Sequence, residues 1–283
     1  MTPQDFDWLR KLLKERSGLT LSAEKQYLLE SRLLPVVRRN GLANLAELVT
    51  RLKSATTSPL AIAVIEAMTT NETYFFRDKI PFDHLRETVI PSLIAARGRE
   101  KRIRIWCTAA SSGQEPFSIA MVLKSMASQL RGYRTEVLAT DLSGEVLDRA
   151  KAGVFSQFEV QRGLPIQLLV RYFSKVGDNW QIAPEIRDMV QFRTLNLLHD
   201  FSPLGSFDLI FCRNVLIYFD QPSKIAVLER LVRHIPDDGF LFLGAAETVV
   251  GLTQRFKPLV NRRGLFAPNP QARYTPARVA LKA

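Results

Sequence analysis

Arg102-Ile-Arg-Ile-Trp-Cys-Thr-Ala-Ala-Ser-Ser-Gly-Gln-Glu-Pro-Phe-Ser-Ile-Ala-Met121 decides the fold. Ile103, Ile105 and Cys107 alternate with Arg104 and Trp106 at the period of a β-strand, and Phe117, Ile119, Ala120 and Leu123 recur at helical spacing. Between them the chain from Thr108 to Gly113 carries only small residues, which let a backbone approach a ligand closely. Strand, small-residue loop and helix form a cofactor cradle. The dinucleotide fingerprint has three glycines at this turn, whereas this loop has one, so the loop alone is a weak signal.

The next strand sharpens it. Thr135-Glu-Val-Leu-Ala-Thr-Asp141 ends on a carboxylate, and Ser143 then opens an amphipathic helix through Val146, Leu147 and Ala150. In doubly wound folds an acidic residue at the end of the second strand holds ribose hydroxyls. Glu115, in the first turn of the preceding helix, would repel a pyrophosphate, so the ligand expected is a cationic nucleoside without phosphates. S-adenosylmethionine fits. Taken singly, Glu115 could merely complement the helix dipole and Asp141 merely cap a helix; taken together and in this order they favour a cofactor site.

Composition sets the bounds. A chain of 283 residues with 46% hydrophobic and 24% charged residues can bury a full core and accommodates one large domain with a smaller companion. The sequence has no apolar run of membrane-span length and no signal-peptide pattern at Met1-Thr-Pro-Gln-Asp5, so a cytoplasmic protein is expected. Cys107 and Cys212 end apolar strand-like runs and should stay reduced. His84, His199 and His234 share no ligand spacing with each other or with the cysteines, so no metal is expected. A net charge of +11 asks for an acidic partner, which charge alone does not identify as nucleic acid, membrane or protein.

Residues 1–70 read as helices, with Phe6, Leu9, Leu12 and Leu13 on one face and Tyr27, Leu28, Leu34 and Val37 along a second run. That second helix also carries Lys25, Arg32, Arg38 and Arg39, either a solvated charged face or a substrate-binding one. Residues 71–98 form a linker and a connecting helix around Phe82 to Ala96. The linker, Thr69-Thr-Asn-Glu-Thr-Tyr-Phe-Phe-Arg-Asp78, is not a core pattern and reads as a ligand-contacting loop at a domain junction. Residues 99–268 hold the sheet. From about 153 to 191 its alternation is broken by an inserted β subdomain, with a hairpin turn at Gly177-Asp178-Asn179. Phe207-Asp-Leu-Ile-Phe-Cys212 is a central parallel strand, and Gly239 to Gly244 with Leu265 to Pro268 make a last hairpin. Residues 269–283 are expected to be a disordered basic tail.

Asn71-Glu-Thr-x-Phe-Phe-Arg77, Ala110-Ser-Ser-Gly-Gln-Glu-Pro116, Ala139-Thr-Asp141, Asn196-Leu197, Phe211-Cys-Arg-Asn-Val-Leu-Ile-Tyr-Phe219 and Gly244-Ala-Ala-Glu247 together resemble the chemotaxis receptor methyltransferases, the CheR family. Each motif is weak, but the ordered set is specific and runs nearly end to end. The resemblance implies an α/β fold: a Rossmann-like S-adenosylmethionine-dependent methyltransferase domain with a small inserted antiparallel β subdomain, preceded by an all-α N-terminal domain. It implies methyl transfer to glutamate side chains on the cytoplasmic helices of chemoreceptors. Cofactor contacts are then expected at Asn71, Thr73, Arg77, Glu115, Asp141, Asn196, Leu197, Arg213 and Asn214, with Arg77 and Tyr218 aiming the acceptor. Glu115 would meet the methionine amino group, Asp141 the ribose, and Asn196-Leu197 the adenine. Some members also dock a receptor C-terminal peptide on the β subdomain by strand addition; the hairpin loop Lys175 to Asn179 is shorter here, which counts against it. A monomer with no nucleic-acid partner and no membrane insertion is expected. The alternatives are a nucleic-acid methyltransferase, against which the Cys212-Arg-Asn-Val215 sequence after the central strand speaks, and a noncatalytic receptor-binding module, against which the intact Arg77, Glu115 and Asp141 speak.

Overall fold

The structure, a computed structural model, describes residues 1–272. Four helices come first: α1 (Pro3–Ser17), α2 (Gln26–Arg39), α3 (Leu45–Ser54) and α4 (Pro59–Met68). Thr2, Asn44 and Ser58 cap the N-termini of α1, α3 and α4 with side-chain oxygens, which satisfies amide groups that a helix start leaves unpaired. These helices enclose an apolar core of their own that includes Leu9, Leu13, Leu29, Leu33, Leu48 and Val64. The face of α2 differs from the one expected. Val37 is buried as expected, but its inward companions are Leu29, Leu33 and Val36, while Tyr27 and Leu34 are exposed, because the buried period starts at Leu29.

The connecting helix begins earlier than expected and is interrupted: α5 (Ile80–His84), a π-turn over Leu85–Val89, then α6 (Ile90–Ala96). Pro91 lacks the N–H that a regular turn needs, and the π-turn, closed by Ile90 N–H to Leu85 O, absorbs the fault.

The remaining elements are β1 (Arg102–Cys107), α7 (Gln114–Ser125), β2 (Arg134–Asp141), α8 (Gly144–Ala152), β3 (Val154–Ser156), α9 (Gln157–Gln161), α10 (Ile166–Tyr172), β4 (Phe173–Val176), β5 (Asn179–Ile182), α11 (Pro184–Arg187), β6 (Val190–Thr194), β7 (Leu209–Cys212), α12 (Gln221–Leu231), β8 (Phe240–Leu243), β9 (Phe256–Pro258) and β10 (Leu265–Pro268). The main sheet has the order β6-β2-β1-β7-β8-β10-β9, with β6 to β8 parallel and the last two strands antiparallel. Strand order reverses between β1 and β7, where open α/β sheets place their ligand crevice. Apolar clusters cover both faces: Ile103, Ile105 and Cys107 belong to one and Trp106 to the other, with Trp106 Nε1–H donating to Thr140 Oγ1 at 2.9 Å. The closing pair is not a simple hairpin, because β9 intervenes and adds an edge strand against β10. Strands β3, β5 and β4 form the separate antiparallel sheet expected of the insertion, with Val176 opposite Asn179 across a two-residue Gly177-Asp178 turn. Of the tail, residues 269–272 turn back through Ala272 N–H to Asn269 O, and the expectation for the rest lies outside the described residues.

Candidate functional site

The loop after β1 is stitched to its neighbours: Thr108 N–H donates to Phe211 O and Ala110 N–H to Thr140 O, both at 2.9 Å. Ser111 and Gly113 adopt positive φ, and a Cβ at Gly113 would stand 2.8 Å from the Phe117 ring, so glycine is required there. Asp141, at the end of β2, is buried; its Oδ2 accepts Ser111 N–H at 2.8 Å and its Oδ1 accepts Ser143 N–H at 3.0 Å. Burial pushes its pKa up, and those amides pull the other way.

Glu115 and Arg213 meet beneath the crevice. Arg213 is buried at the end of β7; its Nη1 donates to Glu115 Oε2 at 2.5 Å, and its Nη2 donates to Asp78 Oδ2 at 2.7 Å and to Arg77 O at 3.0 Å. Cys107 S–H donates to the other Glu115 oxygen at 3.1 Å, and burial raises that thiol's pKa well above its usual value. Both cysteines are free and buried.

The loop carrying Arg77 is held by the inserted subdomain. Phe75 is fully buried, with its ring 5.0 Å from that of Phe155 and 5.6 Å from that of Phe173, so one of the three aromatics is core after all; the run of aromatics concealed it because Tyr74 and Phe76 stay partly exposed. Arg162 pairs with Glu72 at 2.6 Å and lies 4.4 Å over the Tyr74 ring. Arg77 itself donates Nη1–H to Glu72 O at 2.7 Å.

These pieces line one solvent-open cleft with about 920 Å³ of empty space. Asn71, Thr73, Arg77, Glu115, Asp141, Asn196, Leu197, Arg213, Asn214 and Tyr218 all line it. So do Ser17, the last residue of α1, and Leu19 just beyond it, which no sequence signal marks and which make the helical region one wall of the cleft. The Asn196 amide is partly engaged: its Nδ2–H donates to Arg16 O at 2.6 Å and its Oδ1 accepts Leu198 N–H at 2.9 Å, so it joins α1 to the crevice and keeps one N–H and one lone pair for a ligand. Arg32 likewise leaves the basic face, because its guanidinium donates to Met68 O, Thr69 O and Thr70 Oγ1. Lys25, Arg38 and Arg39 remain exposed on and beside α2. Among the described residues no group of His, Cys, Asp and Glu could hold a metal, and no helix is long and apolar enough to cross a membrane.

The cleft suits a polar, cationic nucleoside. Arg213 Nε is buried without a partner in the protein, and the Asp141 carboxylate keeps acceptor capacity beyond its two amide bonds. The Arg213 cluster sums to one excess negative charge, from Glu115 and Asp78 against Arg213.

Residues 71–265 match the family model described as CheR methyltransferase, SAM binding domain, and residues 4–69 match CheR methyltransferase, all-alpha domain. The chain is 43% identical over 258 residues to chemotaxis protein methyltransferase 1 of Pseudomonas aeruginosa, covering 89% of this chain and 93% of that protein. It is 41% identical, with the same coverage, to chemotaxis protein methyltransferase Cher2 of Pseudomonas putida, and 37% identical to the chemotaxis protein methyltransferase of Vibrio anguillarum over 91% of this chain and 94% of that protein.

Proposed function

Starting from the premise that the chain belongs to the CheR methyltransferase family, we propose that it methylates glutamate side chains on the cytoplasmic helices of chemoreceptors, forming glutamyl methyl esters. The observation that carries this reading is the convergence of ten dispersed residues on one cleft at the carboxyl ends of the strands. S-adenosylmethionine supplies a methyl group on a sulfonium, which leaves as a neutral thioether.

The chain's own residues then have few tasks. Asp141 accepts the ribose hydroxyls; Glu115, already anchored by Arg213, accepts from the methionine ammonium; Leu197 packs on adenine; Asn71, Thr73 and Asn214 flank the methionine arm. A glutamate acceptor is ionised at neutral pH, so no general base is needed. What accelerates the reaction is alignment of the acceptor oxygen with the methyl carbon and sulfur. Arg77 can hold one acceptor oxygen in a charge-assisted bond while the Tyr218 hydroxyl donates to the other. Lys25, Arg38 and Arg39, exposed on and beside α2, would attract a receptor helix that is acidic around its target glutamates.

The test is radiolabelled methyl transfer to a receptor cytoplasmic fragment and to the same fragment with its candidate glutamates changed to glutamine. Label that enters only the first and is released as methanol by mild base supports the reading; base-stable label, or label in RNA or DNA instead, refutes it.

A further inference from the structure

The segment that delivers Tyr218 leaves β7 through Arg213 and Asn214, and Asn214 adopts φ 57°, which is unfavourable for a residue with a side chain. One carboxylate holds it there. Glu247 Oε2 accepts Asn214 N–H at 2.8 Å and Gly244 N–H at 2.7 Å, and Oε1 accepts Val215 N–H at 3.0 Å and Ile217 N–H at 3.2 Å. Four amides converge on one side chain as they would on a bound anion. The fit leaves no slack: a Cβ at Gly244 would stand 2.7 Å from Glu247 Oε2 and 2.9 Å from Asn214 N. The nest ends one residue before Tyr218, which itself lines the cleft.

We infer that Glu247 is a positioning residue for methyl transfer, its carboxylate fixing the Asn214–Ile217 backbone so that the Tyr218 hydroxyl meets the acceptor carboxylate. This rests on the acceptor-aiming role proposed for Tyr218. Glu247 lies outside the cleft lining, so it acts only through the loop. Glutamine keeps the shape but turns two acceptor positions into donors facing N–H groups. A displacement of about 1 Å at a reacting group costs roughly 100-fold in rate.

The experiment measures kcat and KM for wild type, Glu247→Gln, Tyr218→Phe and the double variant, with S-adenosylhomocysteine binding and Tm as folding controls. The expected result is a fall in kcat of about 10- to 100-fold for Glu247→Gln with acceptor KM nearly unchanged, and only a small further fall when Glu247→Gln is added to Tyr218→Phe. If Glu247→Gln does not fold, Glu247→Asp keeps the charge, shortens the reach and carries the same cycle. Equal losses in both backgrounds overturn the inference and leave the Tyr218 reading standing. Full activity in Tyr218→Phe overturns that reading and the inference with it.

Discussion

Replacing Asp141 by alanine probes the cofactor site most directly. Each carboxylate oxygen already accepts one amide, Ser111 at 2.8 Å or Ser143 at 3.0 Å. A carboxylate offers about four lone-pair directions, so roughly two remain for the ribose hydroxyls. Each hydrogen bond to a charged acceptor contributes about 1.5–3 kcal/mol, giving about 3–6 kcal/mol for the pair. Water can take over the hydroxyls in a cleft open to solvent, which keeps the loss near ~3 kcal/mol, or roughly 150-fold in Kd. Isothermal titration with S-adenosylhomocysteine reads this directly, with Tm checking the fold. The pH dependence follows from burial, which raises the folded pKa above the usual 3.8. Stability from that group is complete below the unfolded value and is lost as pH rises through the folded one. Ligand binding runs the other way, because the ribose needs the ionised acceptor. Affinity should therefore weaken as pH falls through the raised pKa in wild type and stay flat in Asp141→Asn. An alanine variant that is folded yet binds within about threefold of wild type would refute the ribose role.

Reversing charge at Arg38 and Arg39 should raise acceptor KM more than it lowers kcat, with the difference shrinking as salt increases; an unchanged KM would make that face merely solvated. Gly163→Ala should lower stability by at least about 2 kcal/mol and impair turnover together, because φ is 82° and the new Cβ would stand 2.1 Å from Phe75 O in the Arg77 loop; unaltered denaturant midpoints would show that the subdomain does not grip this loop. Asp220, held at about 2 chiefly by Lys14 and Ser223, adds stability above its unfolded value of 3.8 that is lost as pH falls through the folded one. The partner Lys14 is half exposed, so Asp220→Asn should remove no more than about 1 kcal/mol above about pH 4, a difference that disappears between about pH 4 and 2. Arg213→Met should cost about 3–5 kcal/mol in chemical denaturation by leaving Glu115 buried and unpaired, and adding Glu115→Gln should recover part of it; equal losses in single and double variants would deny the pairing.

Most strands, together with Glu115 and Asp141, were legible because each rests on local pattern: Ile103-Ile105-Cys107 alternates, Phe207 to Cys212 runs apolar, and Asp141 ends a strand; the other cleft residues followed only from the family resemblance. What stayed hidden depends on who meets whom. Arg32 looks like Arg38 and Arg39 in sequence, yet three acceptors around the end of α4 claim it. Asn196 sits in a cofactor motif, yet its amide reaches Arg16 O, 180 positions away. Tyr27 and Leu34 carry apolar bulk without the register that would bury it, and Phe75 is buried by rings from an insertion that no local period announces.

Charge connects these parts of the molecule. The chain as a whole is strongly basic, but the lining of its cleft is not: Glu72, Glu115 and Asp141 outnumber Arg77 and Arg213. If the exposed basic residues of α2 attract an anionic receptor helix as proposed, the acidic lining attracts the cationic cofactor, and the two reactants are drawn in by fields of opposite sign. In the proposed reaction, methyl transfer from sulfonium to carboxylate would remove one charge of each sign. A reaction that annihilates charge is helped by excluding water, which shields charged reactants more than neutral products. Ser17 and Leu19 wall the cleft on its helical side, so in the proposed reaction they would serve the chemistry as well as binding by keeping water from the reacting charges.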